Sequence, residues 1–414
     1  MPSATFSLVA RTGYPSFLDL PWHRSLARWP SELVVELERG IGRHVVRFVE
    51  ADGSYFALKE LPPELGEREH RLLRRLESDD LPAVEAVAIV RARHTPEGEE
   101  LPSVLITRYL DYSLPYRLVL RRRFLPAPLG SLLDAFAGLL VRLHLGGFYW
   151  GDCSLSNTLF RRDAGELSAY LVDAETGELH PELSDGQRRH DLLIAEENVV
   201  GELHDLAAEL GSEHAYDPFE LAADVRLRYE RLWAELTEAE EFGSDERHRL
   251  EERLRRLNEL GFDVEEFELH RTETGFRLIL HSKVVEPGHH RRRLLRLTGL
   301  NAQENQARRL LNDLTAFRAG LEESGLPPVS EVAAAGRWLS EVFEPAVAAI
   351  PPELRGKRAA AEVFLELLDH RSALAAEADG DVDLATAISS YVENVLRPAP
   401  DERTAIVQNE AAGD

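Results

Sequence analysis

The chain is poor in the residues on which disulfide-rich and membrane-spanning proteins depend. Its 414 residues include one cysteine, Cys153, which excludes an intrachain disulfide and a metal site built from several cysteines. This cysteine usage favours a reducing compartment. No run approaches the roughly 18 consecutive apolar residues of a membrane span, and the N-terminus has no basic start followed by an apolar segment. We therefore expect a cytoplasmic protein without a membrane span.

Positive charge is also scarce. The chain has 48 lysine and arginine residues against 73 aspartate and glutamate residues, which gives a formal net charge of −25. Proteins whose main partner is a polyphosphate backbone usually present net positive charge, so we expect no nucleic-acid partner. With 44% hydrophobic and 29% charged residues, the composition is that of a globular protein, and the length suggests two or three domains.

Lysine is rare even among the basic residues. Only Lys59, Lys283 and Lys357 are lysines, and all other cations are arginines. A position that keeps lysine is a candidate for a compact ammonium group rather than a planar guanidinium. Lys59 lies in the β-rich run SYFALKEL, which makes it a candidate ligand.

Hydrophobic periodicity divides the chain into five parts. Three β-rich runs over 33–60, a helical pattern over 64–77 and two more strand-like runs predict a compact α+β unit that ends near residue 110. The predicted parts are an N-terminal arm (1–30), this first unit (31–110), a second unit (111–215), a mostly helical C-terminal domain (216–396) and a disordered tail (397–414).

Five polar residues follow one another in an order that suits phosphoryl transfer. Lys59 lies on a predicted strand, Glu69 on the next helix, Asp152 and Asn157 in one loop, and Asp173 at the end of the strand after it. Transfer from ATP requires a lysine fixed by a glutamate, a carboxylate that accepts a proton, and an asparagine and a second aspartate that hold Mg²⁺. The order therefore predicts a kinase-like site.

Each of these residues also has a plainer interpretation. Lys59 could be a strand-edge lysine with its ammonium in solvent, Glu69 a solvated acid like Glu67, and Asp173 the cap of a strand end. Cys153 is interpreted as a small loop filler. The basic run GHHRRR (288–293) is either an anion site or a solvated, salt-bridged turn.

Asp191 precedes a helical pattern and has two structural interpretations. It could cap the helix, or it could hold the catalytic loop from below, as a helix aspartate does in kinase folds.

The motif LHLGGFYWGDCSLSNTLF is similar to the helix and catalytic loop of lipopolysaccharide kinases. Residues 31–210 thus resemble the Kdo/WaaP branch of the protein-kinase-like fold. The whole chain resembles DUF4032-containing bacterial proteins, to whose second part VVEPGHHRRR is similar. The resemblance implies a bilobal kinase-like fold, with a small lobe (31–110) and a large lobe (111–215), followed by a mostly α-helical C-terminal domain.

The same resemblance implies that ATP and Mg²⁺ bind. By this resemblance, Lys59 contacts the phosphates, Glu69 fixes Lys59, and Asp152 is the general base. Asn157 and Asp173 are the implied metal ligands. Gly40 and Gly42 lie in the implied loop over the phosphates, and Tyr109 lies in the implied hinge beside adenine.

The sequence departs from the kinase pattern in three places, one of which is Trp150-Gly151 before Asp152, where His-Arg is usual. Arg43 and His44 follow a thin GIG loop, and Ala174 and Glu175 follow Asp173 where Phe-Gly is usual. Glu175 is a third metal-directed carboxylate or an ordinary loop residue.

The intact set of site residues favours an ATP- and Mg²⁺-dependent phosphotransferase. Its hydroxyl acceptor could be a small molecule, a sugar or a protein. The departures favour a nucleotide-binding regulatory module with little turnover. A third hypothesis is a scaffold built on the C-terminal helices.

Overall fold

The computed structural model divides the chain into two compact units. The first contains the chain up to residue 160 and residues 169–229, and the second contains residues 161–168 and 230–403. The domain bounds of the sequence analysis stay predictions. The structure describes residues 6–37, 43–121, 128–210, 217–238, 240–243, 248–249, 252–253, 255, 262–264, 268–271, 275–279, 285–323, 329–378 and 380–403.

Twelve strands lie in the described chain before residue 180. They are β1 (Ser7–Ala10), β2 (Val46–Ala51), β3 (Ser54–Leu61), β4 (Ala86–Arg91), β5 (Arg93–His94), β6 (Glu100–Leu101), β7 (Ser103–Arg108), β8 (Ser113–Pro115), β9 (Phe148–Tyr149), β10 (Thr158–Asp163), β11 (Glu166–Leu171) and β12 (Glu178–Leu179). Five of them form an antiparallel sheet in the order β1-β4-β7-β3-β2. The smaller sheets are β11-β10-β8, β12-β9 and β5-β6.

The five-stranded sheet contains one strand that the sequence analysis did not predict. Strands over 46–51 and 54–61 form as predicted, and they turn at Asp52-Gly53, both at positive φ. The run from residue 33 instead contributes an isolated bridge from Val35 to Phe48. Pro30 precedes a 3₁₀ turn over Ser31–Leu33, which takes the first residues of that run. The fifth strand, β1, comes from the N-terminal arm and pairs with β4.

The two faces of this sheet are covered differently. On one face, Phe56 and Leu58 belong to an apolar cluster with Phe17, Trp22 and Trp29 of the arm. Because side chains alternate along a strand, Lys59 lies on the opposite face. A helix covers that face at Gly66, where a Cβ atom would lie 3.3 Å from the Cβ of Ser103.

Five helices follow the apolar periodicity of residues 63–237. They are α1 (Pro63–Ser78), α2 (Tyr116–Arg121), α3 (Pro128–Leu145), α4 (Asp185–Leu210) and α5 (Pro218–Thr237). Helix α3 ends before Gly146-Gly147, and Gly147 has a φ of +74°, a left-handed conformation that favours glycine. After this turn the chain forms β9 and then the loop 150–157.

The second unit is mainly helical. Its elements are β13 (Glu240–Gly243), β14 (Phe262–Val264), β15 (Glu268–Arg271), β16 (Gly275–Ile279), β17 (Val285–Pro287), α6 (His289–Thr298), α7 (Glu304–Glu323), α8 (Glu331–Trp338), α9 (Glu344–Ala348), α10 (Ala360–Ala378) and α11 (Leu384–Tyr391), with π-helical turns at Leu339–Phe343 and Val392–Leu396. Trp338, Phe343 and Phe364 lie at the centre of its core, with ring centroids 5.1–5.9 Å apart.

The chain after residue 396 differs from the predicted tail as far as residue 403. The Nζ of Lys357 donates to the carbonyl oxygens of Arg397 and Ala399, at 2.6 and 2.5 Å. Glu402 is buried and accepts from the Nε of Arg162 at 2.9 Å. Lys357 is therefore a lysine whose compact ammonium fits between two main-chain oxygens. Among the helices that the structure describes, none has the length and apolarity to cross a membrane.

Candidate active site

Strand β3 and helix α1 bring together the first two predicted site residues. The Nζ of Lys59 lies 3.0 Å from Oε2 of Glu69 and 2.7 Å from Oδ2 of Asp173. It also lies 3.6 Å from Oε2 of Glu175. Three carboxylates from two segments of the first unit thus surround one ammonium group. What these groups bind stays a prediction.

Burial and charge act in opposite directions on this cluster. Burial acts to lower the pKa of Lys59, but Glu69 and Asp173 together raise it above its ordinary value, so the ammonium stays charged. Burial, aided by the charge of Asp173, raises the pKa of Glu69 to about 7. Glu69 therefore titrates near neutrality.

Replacing Glu69 with glutamine is expected to change how stability depends on pH. Because the folded pKa is raised from 4.5 to about 7, the folded state favours the protonated carboxyl, and the wild-type protein loses stability as pH rises through this interval. Glu69→Gln lacks this titration. Its free energy of unfolding relative to wild type should rise by on the order of 3 kcal/mol between these pH values.

Urea unfolding at a series of pH values from 4.5 to 8 measures this difference. Glu67→Gln is the matched control, because Glu67 lies on the same helix and is 46% exposed. Its difference from wild type should stay constant with pH. Parallel curves for Glu69→Gln and wild type would contradict the raised pKa.

The loop 150–157 holds Asp152 and Asn157 against each other. The Nδ2 of Asn157 donates to Oδ2 of Asp152 at 3.1 Å, and the Nδ2 of Asn198 lies 3.4 Å from its Oδ1. The side chain of Asp152 is 40% exposed, so an acceptor can reach it. Gly151 has a φ of +75°, which a side chain at that position would strain.

Asp191 holds this loop from below. Its fully buried carboxylate accepts from the backbone N–H groups of Trp150 and Gly151, at 2.7 and 2.8 Å. Helix α4 begins at Asp185, so Asp191 lies inside the helix and does not cap it. Of the two interpretations in the sequence analysis, the structure shows the second, in which Asp191 holds the loop.

His144, on helix α3, contacts Asp191. Its Nε2 lies 3.2 Å from Asp191, and its Nδ1 lies 2.8 Å from the hydroxyl of Tyr229. Burial lowers the pKa of His144, which favours the neutral ring. A neutral ring that donates from Nε2 to Asp191 accepts at Nδ1 from the Tyr229 hydroxyl.

Two further residues of α4 hold the loop and were missed by sequence reasoning. Glu202 accepts from the backbone N–H groups of Leu155 and Ser156, both at 2.8 Å, and the Nδ2 of Asn198 donates to the carbonyl of Cys153 at 2.9 Å. Asp191, Asn198 and Glu202 are spaced by seven and four residues, so they share one face of the helix. A polar row at this spacing was the available signal.

The second aspartate lies beside the loop. The indole Nε1 of Trp150 donates to the carbonyl of Asp173 at 2.9 Å, and the N–H of Val172 donates to the carbonyl of Asn157 at 3.0 Å. The main chain of Asn157 therefore bonds to the residue before Asp173, and the metal-binding roles of Asn157 and Asp173 stay predictions.

Arg43 and His44, which depart from the kinase pattern, lie close to the carboxylates of Asp152 and Glu175. The Nε2 of His44 lies 2.8 Å from Oε2 of Glu175. Arg43 is largely exposed and lies 4.0 Å from Asp152. The predicted phosphate-covering residues Gly40 and Gly42 lie outside the described residues.

Tyr109, predicted to lie beside adenine, is buried in an aromatic cluster. Its ring packs edge-on against Phe48 and Tyr55, with centroids 5.8 and 6.4 Å away. Its backbone N–H donates to the carbonyl of Tyr55 at 2.9 Å. Val46 and Ala57 pack against the same cluster, and Val46 is paired with Lys59 in the sheet. Contact of Tyr109 with adenine stays a prediction.

The basic run 288–293 does not form the expected turn. Gly288, at a φ of +87°, precedes helix α6. The N–H groups of His290 and Arg291 donate to the carboxylate of Glu304, at 2.8 and 3.1 Å, and Arg293 pairs with Glu331 at 2.5 Å. A carboxylate of the chain itself thus lies where an anion would bind to the start of this helix.

The donor groups of the first unit suit a hard divalent cation. Asp173 and Glu175 each offer a carboxylate oxygen, and these oxygens lie within 4.8 Å of each other and of a carboxylate oxygen of Glu69, which is bonded to Lys59. The amide nitrogen of Asn157 donates to Asp152, so the amide oxygen of Asn157 is not used in that contact. Carboxylate and amide oxygens are the ligands that Mg²⁺ prefers, so these residues fit the implied metal.

Family models match two regions of the chain. Residues 54–196 match the lipopolysaccharide kinase (Kdo/WaaP) family, and residues 231–396 match a domain of unknown function (DUF4032). The solved structure "WaaP in complex with acyl carrier protein" is 19% identical with a TM-score of 0.32, over 49% of this chain and 90% of that one. No curated protein matches the chain.

The family matches confirm both resemblances noted in the sequence. They also confirm the fold class, an α+β chain with a kinase-like N-terminal region and a mostly helical C-terminal part. The kinase family match supports a kinase-like phosphotransferase.

Proposed function

We propose that the protein is an ATP- and Mg²⁺-dependent phosphotransferase that acts on a hydroxyl group. The observation that carries the proposal is the bonding of Lys59 to both Glu69 and Asp173, beside a tethered loop in which Asp152 and Asn157 contact each other. The kinase family match over residues 54–196 supports it.

Each side chain has a role in binding ATP. Lys59 contacts the phosphates of ATP, and Glu69 fixes the direction of its ammonium group. Asn157 and Asp173 would hold Mg²⁺, with Glu175 as a third candidate ligand. When bound, Mg²⁺ would supply positive charge against the developing charge of the phosphoryl group. The apolar cluster around Tyr109 contacts the base.

Asp152 acts on the acceptor. The acceptor oxygen forms a bond to the γ-phosphorus, the bond from that phosphorus to the β–γ bridging oxygen breaks, and ADP leaves with the bonding electrons. The acceptor proton passes to the carboxylate of Asp152. The acceptor is a small molecule, a sugar or a protein hydroxyl.

A nucleotide-binding regulatory module is the second candidate function. Contacts of Arg43 and His44 favour it, because these side chains lie 4.0 Å from Asp152 and 2.8 Å from Glu175, two carboxylates of the proposed site. Such a module binds ATP but turns it over little.

Nucleotide binding and turnover by the purified protein test the proposal. At an ATP·Mg²⁺ concentration 100 times the Kd, binding should stabilise the protein by about 2.7 kcal/mol, measured by urea unfolding. EDTA should remove most of this gain, and ADP should accumulate when Mg²⁺ is present.

Lys59→Ala should lose the stabilisation by ATP, whereas the exposed Asp205→Ala should keep it. Stabilisation without ADP in the presence of candidate acceptors would favour the regulatory module. Wild-type protein that ATP does not stabilise would rule out both functions.

A further inference from the structure

One hairpin connects the two proposed metal ligands. Strand β10 begins immediately after Asn157, and strand β11 ends two residues before Asp173. The tip of this hairpin, residues 161–168, belongs to the second compact unit together with residues 230–403. The contacts of this tip with residues 230–403 thus lie within the second unit.

Asp163, near the tip, has a buried side chain that accepts several hydrogen bonds. Its Oδ1 accepts from the backbone N–H of Gln306 at 2.7 Å. Its Oδ2 lies 3.3 Å from the Nδ2 of Asn305 and 2.8 Å from the hydroxyl of Ser168. Gln306 and Asn305 lie in the first turn of α7, where unpaired N–H groups and the helix dipole favour a negative charge.

Helix α10 contacts the next residue of the tip. Oε2 of Glu362, which is buried, accepts from the backbone N–H of Ala164 at 2.9 Å and from the Nε2 of Gln306 at 2.8 Å. The same Nε2 donates to the carbonyl of Arg162 at 3.1 Å. Gln306 thus joins two points of the tip to Glu362.

A third contact comes from the end of the described chain. The Nε of Arg162 lies 2.9 and 3.0 Å from the carboxylate oxygens of Glu402, which is buried. Burying a carboxylate is costly unless several donors compensate for lost hydration. A surface hairpin needs no such set of buried donors and acceptors, so this tip is held in a defined position.

We infer that the helical unit is the positioning element for the hairpin that carries Asn157 and Asp173 at its two ends. Gln306 and Glu362 are positioning residues that act through this hairpin. They hold its tip, and the tip sets the spacing of the two strands that end at the metal ligands. The inference rests on the proposed function, because it assigns the helical unit a task at the proposed metal site.

Hydrogen exchange and Mg²⁺ titration of the full chain test the inference with Gln306→Ala. Exchange of the amides in β10 and β11 should be faster in the variant without any ligand, because the tip has lost its contacts. At saturating ATP, Mg²⁺ is titrated and the stabilisation that it adds is measured. The Mg²⁺ concentration that gives half of this added stabilisation should be roughly 10-fold higher in the variant than in wild type. The affinity for ATP without Mg²⁺ should stay within about twofold of wild type.

Tyr391→Phe is the matched control. It also lies in the helical unit and loses one buried hydrogen bond, to Glu366 at 2.7 Å, but it does not bond to the tip. It should shift neither measurement. Glu362→Gln is a milder second variant if Gln306→Ala does not fold, and it should shift both measurements in the same direction.

The outcomes separate this inference from the proposed function. If Asp173→Ala abolishes the Mg²⁺ dependence but the tip variants behave like Tyr391→Phe, the inference is wrong and the proposed function stands. If Asp173→Ala leaves the Mg²⁺ dependence intact, the proposed metal site fails and the inference falls with it. The inference is supported if amide exchange is faster and the Mg²⁺ concentration for half-stabilisation is higher in the tip variants, but not in Tyr391→Phe.

Discussion

Replacing Asp152 with asparagine is expected to lower ATP turnover by about 10²- to 10⁴-fold, the usual contribution of a general base. Asparagine is close in shape but cannot accept the acceptor proton. The loop should keep its conformation, because the carboxylates of Asp191 and Glu202 hold its backbone independently of the Asp152 side chain. ATP·Mg²⁺ binding should therefore stay within about twofold of wild type, which steady-state kinetics and ligand-induced stabilisation measure together.

Asp79→Asn is the control for this substitution. Asp79 follows helix α1 and pairs with Arg75 through an exposed salt bridge, so its loss should leave turnover unchanged. Equal turnover in Asp152→Asn and wild type would remove Asp152 from the reaction and favour a different base. Loss of ATP binding in Asp152→Asn would show that the carboxylate acts on the nucleotide.

The core of the site could be predicted because it depends on order along the chain. Lys59 and Glu69 are ten residues apart on a strand and the helix that follows it, so local geometry nearly determines their contact. Asp152 and Asn157 share one short loop. Asp173 comes two residues after strand β11, the second strand of the hairpin that follows the loop, and the residue before Asp173 bonds to Asn157. These contacts join residues that are close in sequence or linked by one hairpin, whereas Lys59 contacts Asp173 across 114 residues.

The residues that were missed meet only through tertiary structure. Glu202 contacts the loop across 46–47 residues, and His44 contacts Glu175 across 131 residues. The helical spacing of Asp191, Asn198 and Glu202 predicts that they share one face of the helix, but it does not specify which loop that face contacts. The additional strand β1 was missed for the same reason, because a four-residue run becomes a strand only when an open sheet edge such as that of β4 accepts it.

The N-terminal arm is held to the sheet by a buried ion pair. The NH1 of Arg93 lies 3.1 Å from Oε1 of Glu60, and both side chains are buried. Arg93 also donates to the carbonyl oxygens of Trp22 and Arg24 in the arm, and Glu60 accepts from the backbone N–H of Leu26 at 2.9 Å. Burial lowers the pKa of Arg93, which reflects the cost of the buried charge. The pair therefore connects the arm to strand β3, one residue from Lys59.

Replacing Arg93 with methionine is expected to destabilise the first unit by about 3–5 kcal/mol, because it leaves the buried Glu60 without its charged partner. Urea unfolding followed by tryptophan fluorescence measures the loss, and Trp22 and Trp29 in the arm make the signal sensitive to its release. The matched control is Arg91→Met. Arg91 lies two residues away and pairs with Glu67 at 2.8 Å, but both side chains are more than 40% exposed. That pair should contribute about 1 kcal/mol or less.

The double variant Arg93→Met/Glu60→Met separates the charge from the packing. If the unpaired carboxylate causes the loss, removing it as well should restore part of the stability, since apolar replacements of a whole buried pair are tolerated better than the loss of one partner. If Arg93→Met and Arg91→Met destabilise equally, the buried pair does not hold the arm, and the aromatic contacts of Phe17, Trp22 and Trp29 alone must do so. Because Glu60 adjoins Lys59 in strand β3, release of the arm should also weaken stabilisation by ATP, whereas the Arg91→Met control should leave it unchanged.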